Sequence, residues 1–394
     1  MKILLLVPEY PPYHIGGGGI VYENLALHLT KSGHNVVVVW GYYPSTSFFN
    51  RVEYYEKDKI RFYKIPEFPV LFSKPFLRTA MPPAINGLFA IINIVKKEKP
   101  DIVHLHGYGI LFIVISSFVC RCLGQPYVFT IHGYPKTPEK NSFFRLFWKF
   151  YERMFLRQML KNSQRITCVS GWLAKDVRLQ SFQEKVDVIY NGIDAEKFRT
   201  IKKGSNQDFI SNKFSLPKNG LFICSVGRIS EMKGFQLVVT ALPELLNRYP
   251  NCYYLIIGED DGYKKNLQKL ANESGIEDRV IFAGFVDEVT KLKSIQECDV
   301  FIVPSLWEPF GLTALEGLAM EKIVVTTGNG GLKEFLSNSK NVIFFDHRSI
   351  ESLKQSIGLV LDGKKKFRDE DYIQEFAWNQ VIKDYLNFYE RALE

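Results

Sequence analysis

Nowhere in this chain do cysteine and histidine fall at the spacing of a zinc site, and no Cys-x-x-Cys pair suggests redox chemistry. The six cysteines, Cys120, Cys122, Cys168, Cys224, Cys252 and Cys298, are scattered. They read as reduced core residues of a cytoplasmic protein. Long apolar runs are missing too. Gly109 to Cys120 falls short of the roughly 20 residues that cross a bilayer, so no transmembrane helix is expected. Met1 to Val7 is too short for a signal sequence and ends in Pro8-Glu9-Tyr10-Pro11-Pro12, so it reads as a first buried strand. Repeats and low-complexity tracts are absent. Charge of one sign is in small excess, 50 Lys and Arg against 42 Asp and Glu, a formal net charge of +8. An excess this diffuse suits an anionic substrate or an anionic membrane surface and gives no nucleic-acid footprint.

A chain of 394 residues suggests about two domains with ample core. Short apolar runs alternate with helical periods from end to end, the pattern of parallel sheets built from βα units. Runs at 2–7, 36–40, 60–63, 102–106, 127–131, 165–169 and 186–190 read as strands of a first half. Those at 221–226, 253–257, 280–282, 300–304, 323–327 and 342–345 read as strands of a second. Between them, Tyr190-Asn191-Gly192-Ile193-Asp194 has turn chemistry and the polar stretch Thr200 to Lys213 reads as a linker, which sets a boundary near residue 197. Near the end, Trp378 to Leu393 carries Tyr385, Phe388 and Tyr389 at helical spacing, a stripe that needs a partner surface.

The most informative stretch is Glu308-Pro309-Phe310-Gly311-Leu312-Thr313-Ala314-Leu315-Glu316. A strand-like run, Asp299 to Ser305, leads into it, and a helical run follows. Ligands of open α/β sheets bind where strands end and helices begin. Glu308 falls in the loop and Glu316 roughly two turns into the helix. Amides of Phe310, Gly311 and Leu312 at the helix start face an anion. Carboxylates there can accept bonds from sugar hydroxyls. A second element repeats the logic. The strand Leu221 to Val226 ends in Gly227-Arg228, and Lys233-Gly234 opens the next helix. Two cations at a strand-to-helix turn make a pyrophosphate clamp.

Together, Gly227-Arg228, Lys233-Gly234 and Glu308-x7-Glu316 within Ser305-Leu306-Trp307-Glu308-Pro309-Phe310-Gly311 resemble the donor site of family 4 retaining glycosyltransferases (glycosyltransferase group 1). The resemblance covers nearly the whole chain. Met1 to Gly19 is similar to the family's first strand and glycine-rich loop, and Phe376-Ala377-Trp378 with the helix after it to the C-terminal crossover helix. It implies the α/β GT-B fold, two Rossmann-like, doubly wound domains facing each other across a cleft. Residues 1–196, completed by 376–394, would form the acceptor domain, and 197–375 the donor domain. The implied reaction is retaining hexosyl transfer from a nucleotide-diphosphate sugar, needing no cofactor beyond that co-substrate, with Mg²⁺ a non-essential companion. In this reading Arg228, Lys233 and the amides around Gly311 hold the diphosphate, beside Gly227. Glu308 holds hydroxyls of the sugar, and Glu316 the ribose diol. His132, which follows the strand 127–131, and the loop Gly16-Gly17-Gly18-Gly19 complete the sugar pocket. His106, ending an earlier strand, is a weaker candidate.

Three other classes of function share features of this pattern: a sugar-nucleotide epimerase, a sugar phosphorylase and a non-catalytic sugar-nucleotide-binding protein. The two-glutamate spacing with the Arg/Lys pair favours transfer. An oxidoreductase fits poorly. The four glycines do not form the dinucleotide fingerprint, and Gly41-Tyr42-Tyr43 stands where a ribose-binding acid would. One segment departs from the family's frequent Gly-x-Gly turn: Gly258-Glu259-Asp260-Asp261-Gly262-Tyr263. Asp260 and Asp261 there read either as a solvated turn capping a helix or as ligands for a donor-bound Mg²⁺.

Ser142 to Lys161 sets Arg145, Lys149, Arg153, Arg157 and Lys161 at every fourth position, one basic stripe on a helix. Phe144, Phe147, Trp148, Tyr151, Met154 and Phe155 crowd the other side. The pattern fits an interfacial helix on an anionic membrane, or an ordinary core-facing helix with a solvated back. The apolar, proline-rich run Phe68 to Arg78 reads as an exposed loop with basic residues. A membrane-facing reading makes the acceptor lipid-linked, or otherwise a glycan, in cell-surface polysaccharide or glycolipid synthesis. The protein would then sit peripherally on the inner face of the plasma membrane.

Overall fold

The computed structural model describes residues 1–11, 17–42, 52–66, 85–134, 142–203, 208–364 and 370–394. The chain forms two compact α/β units, Met1–Gly192 with Trp378–Glu394, and Ile193–Ala377. Gly16 and the run Phe68 to Arg78 lie outside the described residues.

The first unit is built on eight strands: β1 (Lys2–Val7), β2 (Asn35–Tyr42), β3 (Glu53–Lys57), β4 (Ile60–Pro66), β5 (Ile102–His106), β6 (Tyr127–Ile131), β7 (Ile166–Cys168) and β8 (Val186–Val188). Their order is β3-β4-β2-β1-β5-β6-β7-β8. The central strands are continuous apolar runs because helices cover both sheet faces, so successive side chains are buried whichever way they point. Ile3, Leu4, Leu5 and Leu6 are all fully buried. Strand β3 has no counterpart in the sequence reading. It is the edge strand Glu-Tyr-Tyr-Glu-Lys, exposed at every residue, and lacks the apolar run that marks the others. It forms by folding back antiparallel on β4 through Asp58 and Lys59, both at positive φ, the backbone of a tight hairpin turn. The terminal helix Trp378–Leu393 belongs to this unit, with Tyr385, Phe388 and Tyr389 fully buried. Trp378 stacks on His28 of the helix Gly17–Lys31, ring centroids 5.7 Å apart.

The second unit carries β9 (Leu221–Val226), β10 (Cys252–Ile257), β11 (Val280–Gly284), β12 (Val300–Val303), β13 (Val324–Thr326) and β14 (Val342–Phe344), all parallel. Their order is β11-β10-β9-β12-β13-β14. This is the doubly wound pattern, in which chain direction across the sheet reverses between the first strand and the fourth.

Two expectations need correction. Thr200 to Lys213 is not a plain linker, because the helices Ala195–Lys203 and Phe209–Phe214 run through its described part. Two buried residues anchor these helices, Phe198 just before the polar stretch and Ile210 within it. Asp194 starts the first helix by accepting the Lys197 amide at 3.1 Å. Among the cysteines, Cys122 is exposed, at the last turn of the helix Leu111–Cys122, and the other five are buried. No helix among the described residues is long and apolar enough to cross a membrane.

Candidate active site

In the second unit the reversal point lies between β9 and β12, and the loops that leave these two strands carry the charged residues. After β9, Gly227-Arg228 begins a loop that ends at Lys233-Gly234 and enters the helix Phe235–Arg248. Gly234 caps that helix at φ 71°, and a Cβ there would collide with the Pro304 carbonyl oxygen. The close approach to the end of β12 therefore requires glycine. The two loops are also tied by the Leu306 amide, which donates to the Met232 carbonyl at 2.8 Å. So arranged, Lys233 Nζ lies 2.6 Å from Glu308 Oε2, and Ser305 Oγ donates to the same oxygen at 3.2 Å.

Glu308 is nearly buried, and its backbone is gripped from the loop after β13. The Gly331 amide donates to the Glu308 carbonyl at 2.8 Å. Gly330, at φ 71°, leaves no room for a Cβ against the Glu308 backbone. Gly311, at φ 110°, caps the helix Leu312–Ala319. Leu312 and Thr313 occupy its first turn, where amides have no intrahelical acceptor, so this end of the helix is electropositive and suited to an anion. Phe310 is buried against Phe335, ring centroids 4.5 Å apart, which fixes the turn from below. Glu316 sits one turn further on. Lys291 Nζ, from the helix Glu288–Glu297, pairs with its Oε1 at 2.6 Å, while its buried Oε2 has no hydrogen-bond partner among the described residues. A buried carboxylate oxygen without a donor is an open acceptor, one that a hydroxyl or a water could satisfy.

Arg228 does not join the Lys233–Glu308 pair. It is half-exposed, and its Nη1 donates to Asp261 Oδ2 at 2.9 Å. Asp260 is engaged otherwise. Its Oδ1 accepts the amides of Gly262, Tyr263 and Lys264 at 2.9, 3.0 and 3.0 Å. The amide of Lys264 foremost, then those of Tyr263 and Gly262, hold its carboxyl below the usual range. These bonds make Asp260 the cap of the turn before the helix Lys264–Glu273.

In the first unit the corresponding reversal lies between β1 and β5. Gly17, Gly18 and Gly19 form the first turn of the helix Gly17–Lys31. His132, just after β6, is half-buried. Its Nε2 lies 3.0 Å from His106 Nδ1, and its ring meets Tyr22 edge-on at 5.2 Å. Burial lowers its pKa to about 4, so the ring is neutral near pH 7. His106 and His104 are wholly buried. His104 bridges Tyr389 Oη at 2.7 Å and Thr130 Oγ1 at 2.6 Å.

Residues 15–197 match the family Glycosyltransferase Family 4, and residues 206–375 match Glycosyl transferases group 1. The chain belongs to glycosyltransferase family 4. An uncharacterised glycosyltransferase of Methanocaldococcus jannaschii is 28% identical, over 100% of this chain and 99% of that protein. A phosphatidylinositol N-acetylglucosaminyltransferase subunit of Saccharomyces cerevisiae is 24% identical, over 90% of this chain and 74% of that protein. An Escherichia coli UDP-Gal:alpha-D-GlcNAc-diphosphoundecaprenol alpha-1,3-galactosyltransferase is 25% identical, over 71% of each. A crystal structure of the Anabaena protein HepE in complex with UDP superposes with a TM-score of 0.72 at 18% identity, covering 99% of this chain and 100% of that one. The fold of this transferase is therefore GT-B.

Within the transferase's second unit, the structure brings Lys233, Glu308, Gly311 and Leu312 to one strand-end cluster, with Glu316 one turn into the same helix. Arg228 and Gly227 stand at its rim. Lys291 was not among the sequence candidates. It lies on a helix before β12, and no spacing in the sequence connects it to Glu316; only the packing of neighbouring helices does.

Proposed function

We propose that this glycosyltransferase moves a hexose, with retained anomeric configuration, from a nucleotide-diphosphate sugar to a lipid-linked acceptor in glycolipid or cell-surface polysaccharide synthesis. The observation that carries the donor half is the cluster at the β9–β12 reversal point. There a lysine–glutamate pair, an open helix N-terminus and a buried carboxylate oxygen without a partner among the described residues lie beyond the ends of β9 and β12. Breaking the anomeric C–O bond leaves the electron pair on the diphosphate. Lys233, Arg228 and the first-turn amides are the groups that would stabilise that charge as it develops. Glu308 would accept hydroxyls of the sugar, and Glu316 Oε2 the ribose diol. The acceptor hydroxyl oxygen attacks the same face from which the diphosphate leaves. Its proton passes to a phosphate oxygen of the leaving group, so no protein nucleophile is required. The yeast and Escherichia coli relatives, by their names, act on a phosphatidylinositol and on a diphosphoundecaprenol-linked sugar, which supports the acceptor half.

A thermal-shift panel of UDP-, GDP- and ADP-sugars tests the donor reading. A ligand at 100 times its dissociation constant stabilises the folded state by about 2.7 kcal/mol. One base series should shift the melt and the others should not. No shift with any nucleotide-diphosphate sugar would refute it. Mass spectrometry of the enzyme with donor tests the mechanism, since a glycosyl adduct on the protein would rule out direct same-face attack. Release of nucleotide diphosphate only when acceptor is present separates transfer from epimerisation.

A further inference from the structure

The segment 142–162 is one continuous helix interrupted by a π-helical turn: Ser142–Tyr151, Glu152–Leu156 and Arg157–Asn162. Its inner side is well built. Trp148, Leu156, Met159 and Leu160 are buried, and Glu152 is pinned by Tyr108 Oη at 2.9 Å and Arg178 Nε at 2.7 Å. Its outer side has a different composition. Leu146, Phe147, Phe150, Met154 and Phe155 are between 48% and 69% exposed. The expected aromatic face is therefore split. Trp148 turns into the unit, while Phe147, Met154 and Phe155 turn out.

Phe147, Phe150 and Met154 follow helical spacing and form an apolar ridge. Arg145, Lys149 and Arg153, four residues apart, form a second ridge beside it. All three cations are exposed and form no ion pair among the described residues. The segment holds five cations and a single acid, Glu152, and that acid is turned inward. A soluble helix normally gives its solvent face polar groups. Here large apolar side chains and unpaired cations share that face, the composition of a helix lying at a headgroup boundary. The charge balance, five cations against one inward-turned acid, selects an anionic surface as the occupant of this face.

We propose that this outer face docks on an anionic lipid bilayer, the apolar ridge entering the acyl boundary and Arg145, Lys149 and Arg153 contacting anionic headgroups. The proposal deepens the lipid-acceptor reading above and rests on it for its purpose. A soluble enzyme that adds sugar to a membrane-held acceptor gains by binding the surface that carries it.

Co-sedimentation with vesicles of phosphatidylcholine, with and without phosphatidylglycerol, tests it in the full chain without donor. Binding is expected only with the anionic vesicles, and it should weaken as salt rises. Each cation near such a surface adds about 1 kcal/mol, so Arg145→Gln with Lys149→Gln and Arg153→Gln should lower partitioning about a hundredfold. Leu146→Ser with Phe147→Ser and Phe150→Ser should abolish it at low salt. Lys265→Gln with Lys269→Gln, which removes exposed charge from the second unit, should leave it within twofold. Equal binding to neutral and anionic vesicles overturns the proposal. So does no binding to either, including the case in which sedimentation velocity finds a dimer that the apolar variant dissociates. Nucleotide thermal shifts, measured without vesicles, are unaffected by these variants if they fold. A failed membrane test is thereby distinguished from a failed donor reading.

Discussion

Lys233 Nζ and Glu308 Oε2 meet at 2.6 Å although 75 residues separate them in the chain. The pair spans the reversal point of the second sheet, and both side chains are largely shielded from solvent. Removing the lysine alone leaves a shielded carboxylate without its cation, beside the place where a diphosphate would sit. Lys233→Met should therefore reduce transfer by more than the loss of one phosphate contact. That contact by itself is worth roughly 1.5–3 kcal/mol, tenfold or more in rate. Steady-state kinetics with the donor found in the thermal-shift panel would check it. Turnover within twofold of wild type would take Lys233 out of the site.

Arg228 should behave differently. It is half-exposed, and its pair with Asp261 is a surface ion pair, a class that contributes on the order of 0–1 kcal/mol. Arg228→Ala is expected to leave the melting temperature within a degree or two and to weaken nucleotide-diphosphate binding about tenfold, read by calorimetry. A large loss of stability with unchanged affinity would make Arg228 a structural residue.

The two glutamates should separate by readout. Glu316→Gln keeps shape but replaces one carboxylate oxygen with an amide, disturbing both the Lys291 pair and the acceptor oxygen. Free nucleotide should bind at least tenfold more weakly. Glu308→Gln should lower turnover with the sugar donor while leaving free-nucleotide affinity within about threefold. Equal losses of free-nucleotide affinity in both variants would contradict the division of labour.

The βα alternation was readable because parallel strands covered on both faces are written as unbroken apolar runs, Leu221 to Val226 among them. The exposed edge strand Glu53–Lys57 was not readable, because its only reason to be a strand is the neighbouring β4. The helices within 195–214 were hidden for a related reason. One buried apolar side chain each, Phe198 and Ile210, anchors a stretch whose average composition is polar. In the site, the loop residues at the ends of β9 and β12 could be named from spacing, since strand-loop-helix units place loop residues predictably. Their pairings could not. Lys233 with Glu308, Arg228 with Asp261 and Lys291 with Glu316 each join different βα units, and strand order, which spacing does not give, decides which loops are neighbours.

The histidine cluster of the first unit, His104 and His106 wholly buried and His132 half-buried, should make that unit acid-sensitive. His104, His106 and His132 all have pKa values lowered first of all by burial. Their surroundings offer little compensation. Among the described residues the cluster meets Tyr22, Thr130, Tyr385, Phe388 and Tyr389, and His106 Nε2 has no partner there. A lowered folded-state pKa means that the unfolded chain takes up protons first as pH falls. Stability is then fully present above the unfolded value near 6.5 and declines as pH drops toward the folded value. For His132, at about 4, the cost at pH 5 is about 2 kcal/mol, with further loss from the other two. The unit Ile193–Ala377 contains one histidine, His347, at its surface. Hydrogen exchange followed by mass spectrometry between pH 7.5 and 5, corrected for intrinsic rates, should thus show protection falling in β5, β6 and the helix Trp378–Leu393 before it falls in β9 to β14. His132→Gln, which keeps a polar side chain but does not titrate, should flatten part of that dependence. Uniform loss across both units, or none down to pH 5, would show that the cluster is not what limits stability in acid.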